Sequence, residues 1–189
     1  NVMSAVTTPF MTKMMATNLE LYQSGEGVTS AGVFYSAGSQ YNIISGPFGA
    51  GWFSPTGSGI TMGLIIAVML FSKRDDFKAI AKLAIPCGIF NINEPIIFGI
   101  PMVMNAMFAV PFFLAPIACV CCGYLVQYLG LCPLFVIDVP WTTPIGLFGF
   151  LASSGNIMGA IWQVVIILGV STLIYTPFVI AANRQEAEA

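Results

Sequence analysis

The stretch GIFNINEPIIFGIPMVMNAMFAVPFFLAPIACVCCGYLVQYL, residues 88–129, decides the fold class, because Glu94 is its single charged residue. A helix needs about 20 apolar residues to cross the hydrocarbon core of a bilayer, and the part that begins at Met107 meets that length. Pro95 and Pro101 interrupt the first part, since proline removes a backbone donor. The stretch therefore predicts a membrane-crossing helix that follows a broken segment carrying one carboxylate.

The scarcity of charge extends over the whole chain. Of 189 residues, 6 are Lys or Arg and 8 are Asp or Glu, which is 7%, whereas a soluble domain has roughly 25%. With 57% apolar residues, the composition argues against a soluble enzyme and a disordered linker. A net charge of −2 with no basic run argues against a nucleic-acid binder. The chain has no histidine, which removes His-based catalytic triads and His-containing metal sites.

Three long segments of the chain, 27–72, 95–137 and 139–183, carry no charged residue. Proline and glycine interrupt some parts of these segments and leave other parts free to form continuous helices. Uninterrupted helices are expected at Thr61–Ser72, extended upstream, and at Met107–Leu129 and Met158–Ala182. The segments 46–59 and 133–149 contain too many proline and glycine residues for continuous helices. Broken segments at membrane depth are how secondary transporters build substrate sites; the alternative is that these stretches are loops outside the membrane. The sequence predicts an all-α integral membrane protein, a multi-span helical bundle with broken helices.

The segment at about 73–84 holds four of the six basic residues and places its apolar residues on one helical face. It predicts an interfacial amphipathic helix, which the positive-inside rule assigns to the cytoplasm. Arg184 places the C-terminus on the same side. An even number of membrane crossings must therefore separate the basic segment from the C-terminus. The helices at 107–129 and 158–182 supply two crossings, so the segment at about 85–105 is expected to form a re-entrant hairpin that enters and leaves the membrane on one side.

Glu94 is the best candidate for a functional residue. An ionisable group in a membrane segment costs about 2.5–3.5 kcal/mol to insert, so its presence there indicates a function. Pro95 disfavours the helical region for the residue before it, which predicts a hairpin tip or a helix start at Glu94. Asn91 and Asn93 add amide donors, and a carboxylate with amides in an aromatic cavity suits a neutral polyol. The alternative is that Glu94 only caps a helix N-terminus.

A second polar group lies at CPLFVIDVPWTTPIG, residues 132–146. Trp141 is followed by Thr142, and an aromatic face beside hydroxyls is a combination that sugars bind. Asp138 is equally compatible with a binding role and with a structural, interfacial one.

The five cysteines lie in apolar surroundings, so they are interpreted as inert thiols, including the C-x-x-C of Cys119 and Cys122. No cofactor and no metal site are predicted.

Three motifs resemble one known family. NINEPIIFGIP (91–101) resembles the signature of the membrane-spanning IIC component, the permease, of the bacterial phosphotransferase system, in its lactose, cellobiose and diacetylchitobiose branch. PTGSGITMGLIIAVMLFSK (55–73) and VPWTTPIG (139–146) fall at the expected order and spacing. The resemblance covers essentially the whole chain, and its NEP element is specific.

The resemblance implies a dimeric permease of the bacterial plasma membrane that carries a β-linked disaccharide inward. A cytoplasmic IIB protein, itself served by IIA, would phosphorylate the sugar, so the permease is not itself the phosphoryl donor. Glu94 would bind the reacting sugar hydroxyl with support from Asn93, and Trp141 and the turn at 56–61 would line the cavity. The substrate-binding residues predicted together from the motifs and the resemblance are Glu94, Asn93, Asn91, Trp141, Thr142, Thr56, Gly57 and Ser58.

The chain also departs from this family. Members carry further N-terminal helices and a histidine in a Gly-x-His-Gly hairpin, which would precede Asn1. Residues 1–189 are therefore expected to form the C-terminal, substrate-binding part, with the N-terminal helical part absent. Two other functions stay open: a structural membrane subunit without a substrate, and an ion-coupled transporter that uses Glu94 and Asp138 as a proton relay.

Overall fold

The computed structural model describes residues 2–29, 32–36, 38–100, 102 and 106–187. The described part is mostly helical. Its helices are α1 (Val2–Ser24), α2 (Gly46–Trp52), α3 (Met62–Phe71), α4 (Asp75–Ile89), α5 (Glu94–Gly99), α6 (Ala106–Tyr128), α7 (Leu147–Ala152), α8 (Ile157–Val164) and α9 (Ser171–Ala187), with a π-helical segment at Val165–Val170 that joins α8 to α9. A short antiparallel pair, β1 (Val28–Thr29) and β2 (Gly32–Val33), was not anticipated from the sequence.

Two helices are long and apolar enough to cross a membrane. They are Met107–Tyr128, with a mean hydropathy of 2.1, and Ile157–Asn183, with 2.3. Both correspond, to within one residue at each end, to crossings expected from the sequence. Large apolar side chains such as Phe113 and Leu173 are exposed along them, and such faces are stable only against hydrocarbon or another apolar partner.

The core consists of two apolar clusters joined by the turn at 53–61. In the first, Trp52 stacks on Phe135 with ring centroids 5.2 Å apart. The second forms where α3, α4 and α6 meet the last helix, around Phe108 and Tyr175. Because the turn connects α2 of one cluster to α3 of the other, both clusters fix its position.

Gly63 allows α3 to lie directly against the last helix. A Cβ atom added at Gly63 would lie 2.7 Å from the backbone carbonyl carbon of Ser171. A backbone atom cannot rotate away as a side chain can, so a larger residue would push the two helices apart. This contact is the close helix approach that small residues permit in membranes.

We expect Gly63→Ala to destabilise the protein by about 1–3 kcal/mol, the usual cost of overpacking. Gly169→Ala is the matched control, because a Cβ there meets nothing within 4 Å. Thermal unfolding of the intact protein in detergent should show a lower Tm for Gly63→Ala and an unchanged or higher Tm for Gly169→Ala. Equal Tm values for both variants would contradict the close packing of α3 on the last helix.

The charged segment and the predicted hairpin are not separate elements. A boundary between them was expected near 84–85, but α4 runs unbroken from Asp75 to Ile89 with Pro86 inside it. After the turn at 90–93, α5 folds back so that Gly99 lies against Ile80 of α4. The amphipathic helix is thus also the first arm of the hairpin. Part of the second arm, at 101 and 103–105, lies outside the described residues.

Buried side-chain amides hold the irregular segments in place. Gln163 accepts hydrogen bonds from the N–H groups of Gly146 (2.9 Å) and Gly149 (2.8 Å) and donates to the carbonyl of Gly51 (3.1 Å). Asn18 makes a reciprocal pair with the backbone of Asn42, at 2.7 and 2.8 Å. Each of these side chains satisfies backbone groups that have no partner within a helix or strand, and buried backbone groups need such partners.

Candidate functional site

The site is built around the turn between α4 and α5. At the end of α4 the N–H of Ile92 donates to the carbonyl of Cys87 (3.0 Å) and the N–H of Asn91 to that of Gly88 (3.1 Å). These two bonds form a Schellman motif, in which the residue after the helix adopts the left-handed conformation. Asn91 has φ +65°, as asparagine tolerates better than most residues. The motif turns the side chains of Asn91 and Asn93 inward.

Asn91 joins three separate parts of the chain. Its Oδ1 accepts a hydrogen bond from the N–H of Thr56 (2.6 Å), and its Nδ2 donates to the carbonyls of Thr143 (3.0 Å) and Trp141. Only 7% of Asn91 is exposed. The side chain therefore fixes the 53–61 turn and the 141–143 segment to the tip that carries Glu94.

Asn93 makes a second link to the same turn. Its Nδ2 donates to the carbonyl of Ser58 at 2.6 Å, and its side chain is as buried as that of Asn91. Gly57, at φ +80°, leaves room for it, because a Cβ at Gly57 would lie 2.6 Å from Oδ1 of Asn93. The glycine thus meets both a conformational and a steric requirement.

Thr56 lies beneath this turn rather than facing solvent. It is fully buried, its hydroxyl accepts from the N–H of Met62 (3.3 Å), and its carbonyl accepts from the hydroxyl of Thr61 (3.1 Å). The Thr56 hydroxyl is therefore directed into the fold and does not reach the surface in this structure. We reinterpret Thr56, with Asn91, as part of the support of the site.

Four of the predicted site residues face outward from this support: Glu94, Ser58, Trp141 and Thr142. Trp141 is 66% exposed, which leaves its ring free for stacking. Within the described part of the chain, the Glu94 carboxylate has no hydrogen-bond or ion-pair partner. It is the first residue of α5, in agreement with the expected helix start. The surface therefore offers a strong acceptor, hydroxyls and an aromatic face.

A cavity of about 420 Å³ adjoins the turn. Ser54 and Ser58 supply its polar wall, and the rest is apolar, with Phe53, Phe112, Phe113, Pro116 and Ile117. Ligand pockets of about 300–1,000 Å³ that combine apolar walls with a few polar groups are typical of small-molecule sites. Of the four outward-facing residues, Ser58 is the one that lines this cavity.

Tyr175 is a contributor that the sequence reasoning missed. From the last helix its hydroxyl donates to the carbonyl of Gly59 at 2.7 Å, and the residue is fully buried. A single tyrosine within an apolar span was the available signal, but only the tertiary structure shows which carbonyl it meets.

Asp138 is exposed, and among the described residues no hydrogen bond connects it to Asn91 or Asn93.

The cysteines differ in their surroundings. Cys119 and Cys132 are buried, Cys87 and Cys122 are half-buried and Cys121 is exposed. Burial raises the pKa of Cys132 to about 12, so this thiol stays protonated and unreactive at neutral pH. Among the described residues, no three His, Cys, Asp or Glu side chains are grouped as metal ligands would be.

Comparisons with known proteins agree on one family. A family model described as "Phosphotransferase system, EIIC" matches residues 1–116. The chain is 46% identical over 135 residues to the PTS system cellobiose-specific EIIC component of Lactococcus lactis subsp. lactis (strain IL1403), covering 71% of the chain and 27% of the relative. It is 34% identical over 187 residues to the lichenan permease IIC component of Bacillus subtilis (strain 168), covering 98% and 38%.

A solved structure shares the fold. The crystal structure of the transporter ChbC, the IIC component from the N,N'-diacetylchitobiose-specific phosphotransferase system, is similar with a TM-score of 0.83 and 32% identity. The match covers 97% of this chain and 40% of that one. The chain spans between about a quarter and two fifths of the length of these relatives.

Proposed function

The chain belongs to the EIIC family of the phosphotransferase system, and from this premise we propose that it forms the sugar-binding part of a permease. The proposed substrate is a β-linked disaccharide of the cellobiose, lactose or diacetylchitobiose type, carried inward for phosphorylation by a cytoplasmic IIB protein. One observation carries the proposal: an unpartnered, outward-facing Glu94 carboxylate stands on a tip that two buried asparagines fix beside Trp141 and Ser58.

We assign the roles of the site residues from their positions. Glu94 accepts a hydrogen bond from the sugar hydroxyl that is to be phosphorylated, and a charge-assisted bond of this kind is stronger than a neutral one. The ring of Trp141 stacks on a C–H face of the sugar, while Ser58 and Thr142 bond its edges. Asn91, Asn93, Thr56 and Gly57 hold these groups in position.

The phosphoryl group comes from the partner rather than from this chain. In the proposed step, the sugar hydroxyl oxygen forms a bond to phosphorus as the bond between phosphorus and the IIB cysteine sulfur breaks. The hydroxyl proton passes to the Glu94 carboxylate, and the IIB cysteine leaves as a thiolate. Glu94 orients that hydroxyl through its hydrogen bond. IIA supplies IIB in turn, and the complete permease is proposed to be a homodimer.

The contacts at the end of the last helix support the proposed membrane topology. Asn183 accepts from the N–H of Lys73 (2.9 Å) and donates to the carbonyl of Phe71 (2.9 Å), so the end of α9 lies beside the basic segment. The basic segment and the end of α9 then lie on the same side of the membrane, which the positive-inside rule assigns to the cytoplasm. In this topology α4 and α5 form a re-entrant hairpin with Glu94 near its tip, and the protein is a multi-pass protein of the plasma membrane.

The experiment that tests this function is uptake of radiolabelled cellobiose by membrane vesicles that contain the intact protein with IIA and IIB. Phosphoenolpyruvate together with the general phosphotransferase proteins should drive uptake, and the sugar should appear inside as its phosphate. Uncoupler should leave this uptake unchanged. Uptake that requires a proton gradient instead would support the ion-coupled alternative, and the absence of any uptake of β-linked disaccharides would favour a structural subunit.

A further inference from the structure

A second cavity lies at the other end of α6 and is lined by tyrosines. It has a volume of about 280 Å³ and is bounded by Tyr35, Tyr41, Tyr124 and Asn42, with Met14, Ile43 and Ile44. Phe112, at the Glu94 end, contacts the 53–61 turn near Gly59. Tyr124 is twelve residues further along α6, or about 18 Å at 1.5 Å per residue. The cavity is therefore separate from the site described above.

The aromatic rings of this cavity form an ordered stack. The ring centroids of Tyr35 and Tyr128 are 5.5 Å apart, and those of Tyr128 and Tyr124 are 5.9 Å apart with an interplanar angle of 13°. Tyr128 thus braces the two rings that line the cavity. Tyr124 and Tyr128 are 36% and 51% exposed, so the stack keeps accessible ring surface.

The polar groups of the cavity are available to a ligand. Among the described residues, the hydroxyls of Tyr35 and Tyr124 have no hydrogen-bond partner. Tyr41 donates to the carbonyl of Glu26 at 2.7 Å, and its oxygen can still accept. Burial, with the Glu26 carboxylate adding to it, raises the pKa of Tyr41, so this hydroxyl stays neutral at physiological pH.

The backbone that carries Asn42 is fixed to α1 by the reciprocal bonds with Asn18. These two bonds hold the part of the cavity wall that includes Asn42 in place. Rings with accessible faces, hydroxyls at their edges and a fixed amide are the combination that neutral sugars bind.

We propose that this tyrosine cavity, lined by Tyr35, Tyr41 and Tyr124, is a second carbohydrate-binding site that receives the sugar before it reaches Glu94. The inference rests on the proposed function for the class of ligand and for the topology. The start of α6 lies by the basic segment, because Phe108 contacts Phe77 of α4 at 6.0 Å between centroids. The other end of the helix, with the cavity, then faces the side from which the sugar arrives.

Cellobiose binding by the intact protein tests the proposal, with Glu94→Gln used to weaken the first site. Isothermal titration of Glu94→Gln should still show a weak cellobiose-binding phase. Adding Tyr124→Ala should weaken that phase roughly tenfold, about 1.4 kcal/mol of lost binding. Tyr124→Phe, which keeps the ring, should weaken it less. Leu125→Ala is the matched control, because Leu125 is exposed on the same helix and does not line the cavity.

The outcomes separate the two proposals. If the wild type binds cellobiose and Glu94→Gln does not, the second site is wrong and the proposed function stands. If Tyr124→Ala and Tyr124→Phe both leave the weak phase unchanged, the second site is also wrong, and the tyrosines act only as anchors at the membrane interface, where such rings are common. If neither protein binds cellobiose, the proposed function fails and the second site fails with it.

Discussion

Replacing Glu94 with glutamine is expected to lower cellobiose uptake by about 10- to 100-fold while leaving the amount of protein in the membrane unchanged. A hydrogen bond to a charged group contributes about 1.5–3 kcal/mol, and each 1.4 kcal/mol corresponds to about a factor of ten. Glutamine has nearly the same shape but presents only a neutral acceptor. Because the Glu94 side chain is exposed and makes no hydrogen bond or ion pair within the described part of the chain, the substitution should act on binding rather than on stability.

Two further variants make this prediction specific. Glu94→Asp keeps the charge and shortens the side chain by one methylene, so it should retain partial uptake. Glu20→Gln removes another exposed carboxylate, on α1, and should transport as the wild type does. Uptake is measured in cells without another β-glucoside permease, with immunoblots of the membrane fraction. Wild-type uptake by Glu94→Gln would falsify the assignment of Glu94 as the sugar-binding carboxylate.

The outward-facing part of the candidate site can be predicted from the sequence alone. Glu94 is conspicuous because it is the single charge between Lys82 and Asp138, and the cost of burying charge in a membrane makes such a residue informative. Trp141 could be found for a related reason, as an aromatic residue beside hydroxyls. Both inferences depend on local composition, which a sequence displays directly.

The supporting part of the site could not be predicted in the same way. The sequence marked Asn91 as a ligand-binding residue because an amide near a carboxylate looks like a donor to a sugar. The structure instead uses its amide for three backbone groups that lie 35 to 52 residues away in the chain. Long-range pairings of this kind leave no periodic signal. The same applies to Gln163, which links Gly146 and Gly149 to Gly51.

The course of α4 shows a second limit. The amphipathic helix was expected to end at about residue 84, two residues before Pro86. The structure keeps the helix intact across it, with Phe77, Ala81, Ala84 and Gly88 forming one buried face. Burial of this continuous face outweighs the single backbone hydrogen bond that proline removes, because tertiary packing contributes most of the stability of a helix.

Replacing Asn91 with alanine is expected to destabilise the protein by about 2–4 kcal/mol and to loosen two distant segments together. The N–H of Thr56, which is fully buried, would lose its acceptor, and an unsatisfied buried group costs about 1–3 kcal/mol. Alanine would also have to adopt φ +65°, which costs about 1–2 kcal/mol for a residue with a Cβ. Asn91→Gly removes the same hydrogen bonds without this backbone strain. It should therefore be less destabilised than Asn91→Ala, by about 1–2 kcal/mol.

Hydrogen exchange followed by mass spectrometry distinguishes this linking role from a general loss of stability. In Asn91→Gly, peptides that cover 53–61 and 139–146 should both exchange at least tenfold faster, because one side chain holds both. Asn18→Ala is the control: it breaks the reciprocal pair with Asn42 and should loosen the region around 42 but not these two segments. Unchanged exchange at 139–146 in Asn91→Gly would show that Trp141 is positioned without Asn91. Faster exchange at both segments, with α8 unaffected, would show that one buried amide couples the aromatic wall of the site to its carboxylate.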